Sequence, residues 1–146
     1  MPLAFRNICV TPQDPVSDWG LEGIQTALER GDLSHWRRIA AEVRREPWGK
    51  VAEELADVLS YCHPYGVADV MGDILTSARA AEARSEEETV AAEVRAIVAS
   101  SGMTAKEFAA RMGTSPSRLS TYMTGKVNPS AALMVRMRNI QRRRTR

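Results

Sequence analysis

The sequence is poor in what most membrane, secreted and catalytic proteins are built from. No apolar run approaches the roughly 20 residues that a membrane span needs, and Met1–Val10 lacks the basic start and apolar stretch of a secretory signal. Two cysteines, Cys9 and Cys62, are too few for a disulfide framework, which points to a reducing, cytoplasmic compartment. Two histidines, His35 and His63, offer little to a metal. Cys62 beside His63 supplies too few ligands, at a spacing that fits no zinc pattern, so no metal and no other cofactor is expected. His63 with Asp57 or Asp69 lacks the nucleophile, base and orienting group of a catalytic set. Gly125-Lys126 lacks the earlier glycine and the following Ser or Thr of a phosphate loop. No catalytic residue is therefore assigned, and the chain is not expected to be an enzyme. Aromatic residues make up 5% and are not interleaved with basic ones, which argues against a stacking-based binder of RNA or single strands. No alternating Val/Ile/Thr/aromatic run and no Asn-Gly turn signals a strand, so the expected fold class is all-α.

What is present is a balance of 44% apolar and 26% charged residues over 146 positions, typical of one globular domain or two very small ones. The net charge of +2 hides an asymmetry. Residues 1–87 hold 9 Lys+Arg and 15 Asp+Glu, a net of −6, whereas residues 88–146 hold 11 and 3, a net of +8. Halves of opposite sign suggest different partners. A basic half suits a polyanion, because each cation near a phosphate releases condensed counterions.

The first half reads as an N-terminal four-helix module over residues 1–84. Pro2, Pro12 and Pro15 mark residues 1–16 as an extended arm. The apolar spacing predicts a helix from Ser17 or Asp18 to Gly31, with Leu21, Ile24 and Leu28 on one face. A second helix is capped by Asp32 or Ser34, carries Trp36, Ile39, Ala40 and Val43, and ends at Pro47. A third runs from Trp48 to Tyr61 through Val51, Leu55, Val58 and Leu59. After a turn at residues 62–66, a fourth carries Val67, Val70, Met71, Ile74 and Leu75 and then drifts into an exposed extension or linker at residues 80–88. Trp19, Trp36 and Trp48 all lie in this half and are expected in its core.

The second half, residues 85–146, is denser in signals. Ser85 to Glu88 matches a capping box, with Val90, Val94, Ile97 and Val98 behind it, and Gly102 closes that helix. A second box, Thr104 to Glu107, opens a short helix that places Phe108, Ala109 and Met112 inward and stops at Gly113. Ser115 is a natural N-cap, and Pro116 suits the first helical position, where no N–H is needed. The helix that follows turns Leu119 and Tyr122 or Met123 inward and shows Ser117, Arg118, Ser120 and Thr121 on its other side, with Gly125 at its end. Asn128-Pro129 repeats the cap-then-proline device before Leu133, Met134, Met137 and Ile140.

Two short helices joined by a tight Gly-containing turn form the helix-turn-helix pattern. The run from Met103 to Ser130 resembles the Cro/C1-type, or XRE, family of DNA-binding domains, over roughly residues 90 to 140. The features that coincide in register are Phe108-Ala109, the Gly113 turn, Gly125-Lys126 and Asn128-Pro129-Ser130. The resemblance implies about five helices, with Pro116 to Met123 as the recognition helix in the major groove of double-stranded DNA. It implies base-reading roles for Ser117, Arg118 and Thr121, and backbone contacts from Thr104, Lys106, Ser115, Thr124 and Lys126. Members often carry Gln where this chain has Ala105 and Pro116, which leaves Arg118 as the strongest candidate reader, since a guanidinium bonds guanine bidentately. Arg136, Arg138, Arg142, Arg143, Arg144 and Arg146 are either further phosphate contacts or a solvated, disordered end.

The function this implies is a sequence-specific regulator of a bacterium or phage, a repressor acting by operator occlusion as a homodimer. Two alternatives stand beside it. One is an antitoxin that represses its own promoter and holds a toxin-like protein through residues 17–80. The other is a protein-interaction adaptor that has lost DNA binding.

Overall fold

The order of elements follows from where helix stops occur and where they do not. In a computed structural model of the chain, which describes residues 2–144, the elements are a 3-10 turn at Val16–Asp18 and seven α-helices: α1 (Gly20–Arg30), α2 (Leu33–Arg45), α3 (Lys50–Tyr61), α4 (Val67–Ser101), α5 (Ala105–Met112), α6 (Pro116–Thr124) and α7 (Ala131–Arg144). The protein is all-helical, with no strand among the described residues. Its contacts divide into two compact units, Met1–Glu82 and Ala83–Arg146.

In the first unit, Trp19 is the largest buried side chain, in a core it shares with Ile24 and Leu28 of α1, Ile39 and Val43 of α2 and Leu55 of α3. The N-terminal arm does not stand away from this core. Leu3, Phe5 and Val10 pack against it, and the Phe5 ring meets Trp19 edge-on at 5.4 Å. The Trp19 indole N–H donates to the Asp14 carbonyl at 3.0 Å, while the Arg38 guanidinium lies 4.9 Å over the same ring and donates to the Pro12 and Asp14 carbonyls.

Helix α2 has a capping box of unusual composition. The Asp32 carboxylate accepts from the Ser34 N–H at 2.9 Å, and His35 Nδ1 accepts the Asp32 N–H at 3.1 Å. Three sequence expectations need correction here. Leu21 is 43% exposed, because the buried face of α1 is formed by Gly23, Ile24, Ala27 and Leu28, and position 21 falls at its edge. Trp48 is 58% exposed, because it precedes the Gly49 N-cap of α3 in a corner and stacks under the Arg79 guanidinium at 4.5 Å. Val70 is also exposed, on the flank of α4 away from Met71 and Leu75.

The fourth and fifth predicted helices are one. Ser85 to Glu88 does not start a helix: α4 passes through it, and the Thr89 hydroxyl donates back to the Ser85 carbonyl as within any helix. Between Ile74 and Ser101 there is neither glycine nor proline to stop it, and the Ala-, Glu- and Arg-rich segment has high helix propensity.

Candidate nucleic-acid interface

The second unit is built on residues chosen by local chemistry. Gly102, at φ +67°, ends α4, and the Ser101 hydroxyl is buried there, accepting from the Met103 N–H. Thr104 then caps α5 reciprocally: its oxygen accepts from the Glu107 N–H at 3.2 Å, and the Glu107 carboxylate accepts from the Thr104 N–H at 3.0 Å. Gly113, at φ +77°, closes α5 with its N–H directed to the Ala109 and Ala110 carbonyls. Only a residue tolerant of the left-handed region fits that position. Three residues, Gly113 to Ser115, separate α5 from α6. Ser115 caps α6 by accepting from the Arg118 N–H at 3.1 Å, and Pro116 opens it.

The core of this unit draws Val94, Ile97 and Val98 from α4, Phe108 and Met112 from α5, and Leu119 from α6. Tyr122 belongs to it as well, at 6% exposure, and Met134, Met137 and Ile140 complete it from α7. Helix α7 begins later than Asn128 implies. Its first turn is capped by Ser130, whose oxygen accepts from the Leu133 N–H at 3.2 Å, and Pro129 lies outside the helix.

With Leu119 and Tyr122 inward, a rotation of about 100° per residue puts Ser117, Ser120 and Thr124 on the opposite side of α6, with Arg118 on its flank. Ser117, Arg118, Ser120 and Thr124 are exposed and Thr121 is half-buried. The Arg118 guanidinium makes no hydrogen bond or ion pair among the described residues. Ser120, outside the predicted reading set, shares this outward face. Its signal was its spacing of three from Ser117.

The hydroxyls of this surface differ in what they can give. Thr121 donates to the Arg118 carbonyl at 2.6 Å and Thr124 to the Ser120 carbonyl at 3.0 Å. Both protons are thus engaged within α6, so Thr121 faces outward as an acceptor and a methyl group. Thr124 can give its proton to a phosphate, an acceptor-only group, by leaving its own helix. The Thr104 and Ser115 oxygens accept in caps, and their protons remain available to donate. At the N-terminus of α5 the Glu107 carboxylate occupies the Thr104 N–H. Ala105 and Lys106 carry the first-turn N–H groups outside the helix ladder.

From Phe108 onward the chain has nine basic residues and no acidic one. Not all of this charge faces solvent alone. Arg136 donates to the Met112 carbonyl at 3.0 Å and Arg95 to the Met123 carbonyl at 2.7 Å, each closing the last turn of a short helix. Arg138 is paired with Glu93, through Nε at 3.0 Å and Nη2 at 2.5 Å. Arg142 to Arg144 continue α7 rather than forming a loose end, and Arg146 lies outside the described residues. Lys106, Arg111, Arg118, Lys126, Arg143 and Arg144 are exposed.

No group of metal-ligating side chains assembles, and no helix is long and apolar enough to cross a membrane, among the described residues. Cys62 and His63 fall in the corner after α3. The buried Cys62 thiol donates to the Glu29 carboxylate at 3.2 Å, and burial, with that bond and the Glu29 charge, pushes its pKa up to about 11.

Residues 89–140 match a family described as a helix-turn-helix domain. The C-terminal part of the chain is such a domain, consistent with the Cro/C1 type. A domain of this kind suggests a DNA-binding regulator, and such families are typically non-enzymatic. No curated protein and no solved structure matches the chain.

Proposed function

We propose that the protein binds double-stranded DNA in a sequence-specific way and represses transcription by occluding its operator. What carries this is the outward face of α6. Ser117, Ser120 and Arg118 are exposed and unengaged on a helix whose N-terminus is capped by Ser115 and whose C-terminus is tied by Arg95. Such a helix enters a major groove about 12 Å wide with its polar side toward base edges. Arg118 reads a guanine, and Ser117 and Thr121 read adjacent edges. Lys106, Lys126 and the Thr104 and Ser115 hydroxyls position the helix on phosphates. Thr124 joins them by giving up its bond to Ser120.

Nine residues of recognition helix span few base pairs. Two copies on a two-fold site multiply the specificity, so the working form is a homodimer on an inverted repeat. Its place is in the cytoplasm with the DNA it regulates.

The test is selection from fragmented genomic DNA of the source organism at two salt concentrations, with sequencing of what is retained. Enrichment of a short inverted repeat that survives the higher salt is the expected result. Uniform retention that vanishes with salt would leave only a basic surface and overturn the proposal.

A further inference from the structure

In the first unit a groove of about 600 Å³ opens between α2 and the start of α4. Leu33, Trp36 and Ala40 wall it on one side, and Val67, Val70 and Ile74 on the other. Leu33 and Val70 are 54% and 57% exposed there. Adjacent exposed apolar side chains of this kind mark binding surfaces. The Trp36 ring is a fixed wall, because its indole N–H donates to the Ala27 carbonyl at 2.8 Å.

Two cations stand on the α2 bank, Arg37 and Arg44. Both are exposed, and neither has a hydrogen bond or ion pair among the described residues. Their neighbours are engaged: Arg38 with the Pro12 and Asp14 carbonyls, and Arg45 with Glu42 and Glu46. No carboxylate lines the groove. Asp73 lines the adjoining depression with Arg44 and makes no ion pair with it.

We propose that this groove binds a small amphipathic monocarboxylate, with its acyl or aryl body between Trp36 and Val70 and its head at the Arg37–Arg44 bank. The volume lies within the roughly 300–1,000 Å³ of small-molecule sites, which are apolar cavities with few polar groups. A guanidinium is the group best shaped to hold a carboxylate through two parallel bonds. A second copy of the chain suits the groove less well, because a two-fold contact is made by the same patch on both sides and would bring the same uncompensated arginines to it. This site does not depend on the DNA-binding role and is tested without DNA.

The experiment is isothermal titration calorimetry of the full chain with sodium decanoate and decylammonium chloride below their micellar concentrations and 1-decanol below its solubility limit. Decanoate is expected to bind at one per chain, at least tenfold tighter than decanol, and decylammonium not to bind. The double variant Arg37→Gln/Arg44→Gln should reduce decanoate to the affinity of decanol. Val70→Asp should weaken both at least tenfold. All three positions are exposed, so the helical circular dichroism should stay unchanged and the variants report on the groove. Equal affinity of decanoate and decanol for the unaltered chain overturns the proposal, as does decanoate binding that both variants leave intact. Absence of decanoate binding also overturns it. If that absence comes with a sedimenting dimer that Val70→Asp dissociates, the groove is an interface between copies instead.

Discussion

Arg95 donates from Nη1 to the Met123 carbonyl oxygen at 2.7 Å, and from Nη2 to the Glu88 carboxylate at 2.8 Å. An α4 side chain thus closes the C-terminal end of α6, the helix that presents Ser117 and Ser120. A cation there meets both an orphan carbonyl and the negative end of the helix dipole. Arg95→Ala should lower the stability of the second unit by about 1 kcal/mol, the usual net worth of one such bond. Chemical denaturation followed by circular dichroism measures this. An unchanged midpoint would mean that the bond contributes nothing.

Arg118 behaves in the opposite way, because it is exposed and holds nothing in place. Arg118→Ala should leave stability unchanged and weaken binding to the selected operator by about 1–3 kcal/mol, with relaxed preference at one base pair. Fluorescence anisotropy on the operator and on single-base variants reads both effects. Unchanged operator affinity would assign the readout elsewhere on α6, to Ser117 and Ser120.

Ser115 combines a cap with a proton free to donate. Ser115→Ala should cost about 1 kcal/mol of stability, and Ser115→Gly only a few tenths. Ser115→Asp keeps the cap and places a negative charge where a phosphate is expected. It should keep the stability and lose DNA affinity. Equal affinity of the Asp variant and the unaltered chain would remove Ser115 from the phosphate contacts.

Cys62 gives the first unit an alkaline limit. Its pKa rises from 9.0 to about 11, chiefly by burial, so the folded chain holds the thiol proton more tightly than the unfolded one. The resulting stability is complete below about pH 9 and is lost as pH rises through about 11. The quantity to compare is the pH dependence of the denaturation midpoint against that of Cys62→Ala, which removes the thiol alone. The unaltered chain should fall more steeply with pH, and coincident slopes would contradict the assignment. At neutral pH the exposed Cys9 should react with a thiol reagent well before the buried Cys62.

What the sequence disclosed about this fold is what acts over three or four residues. The Thr104–Glu107 box, the Gly113 stop and the Ser115-Pro116 start are local bonds between neighbours, and each stands where its residues predict. The same four-residue grammar failed at Ser85–Glu88, because a capping box starts a helix only where the preceding one has stopped. It slipped by two residues at Asn128, because Ser130 reaches the Leu133 N–H instead. Trp48 showed its size but not its place, which depends on Arg79 arriving from another helix. In the candidate interface, the positions of Ser117 and Arg118 on α6 were legible from helical spacing. The engagement of the Thr121 and Thr124 hydroxyls was not, since it depends on a rotamer choice between the helix carbonyl and solvent. The groove beside Trp36 was invisible for a third reason: it lies between helices whose separation no local pattern encodes.

Whether α6 reads base sequence is decided by the dissociation constant for the selected inverted repeat against a scrambled duplex of equal length, over a series of salt concentrations. Specific binding at least about 10³-fold tighter at physiological salt is the predicted result, with both affinities falling as salt rises. Equal affinity for the two duplexes at every salt concentration would contradict it.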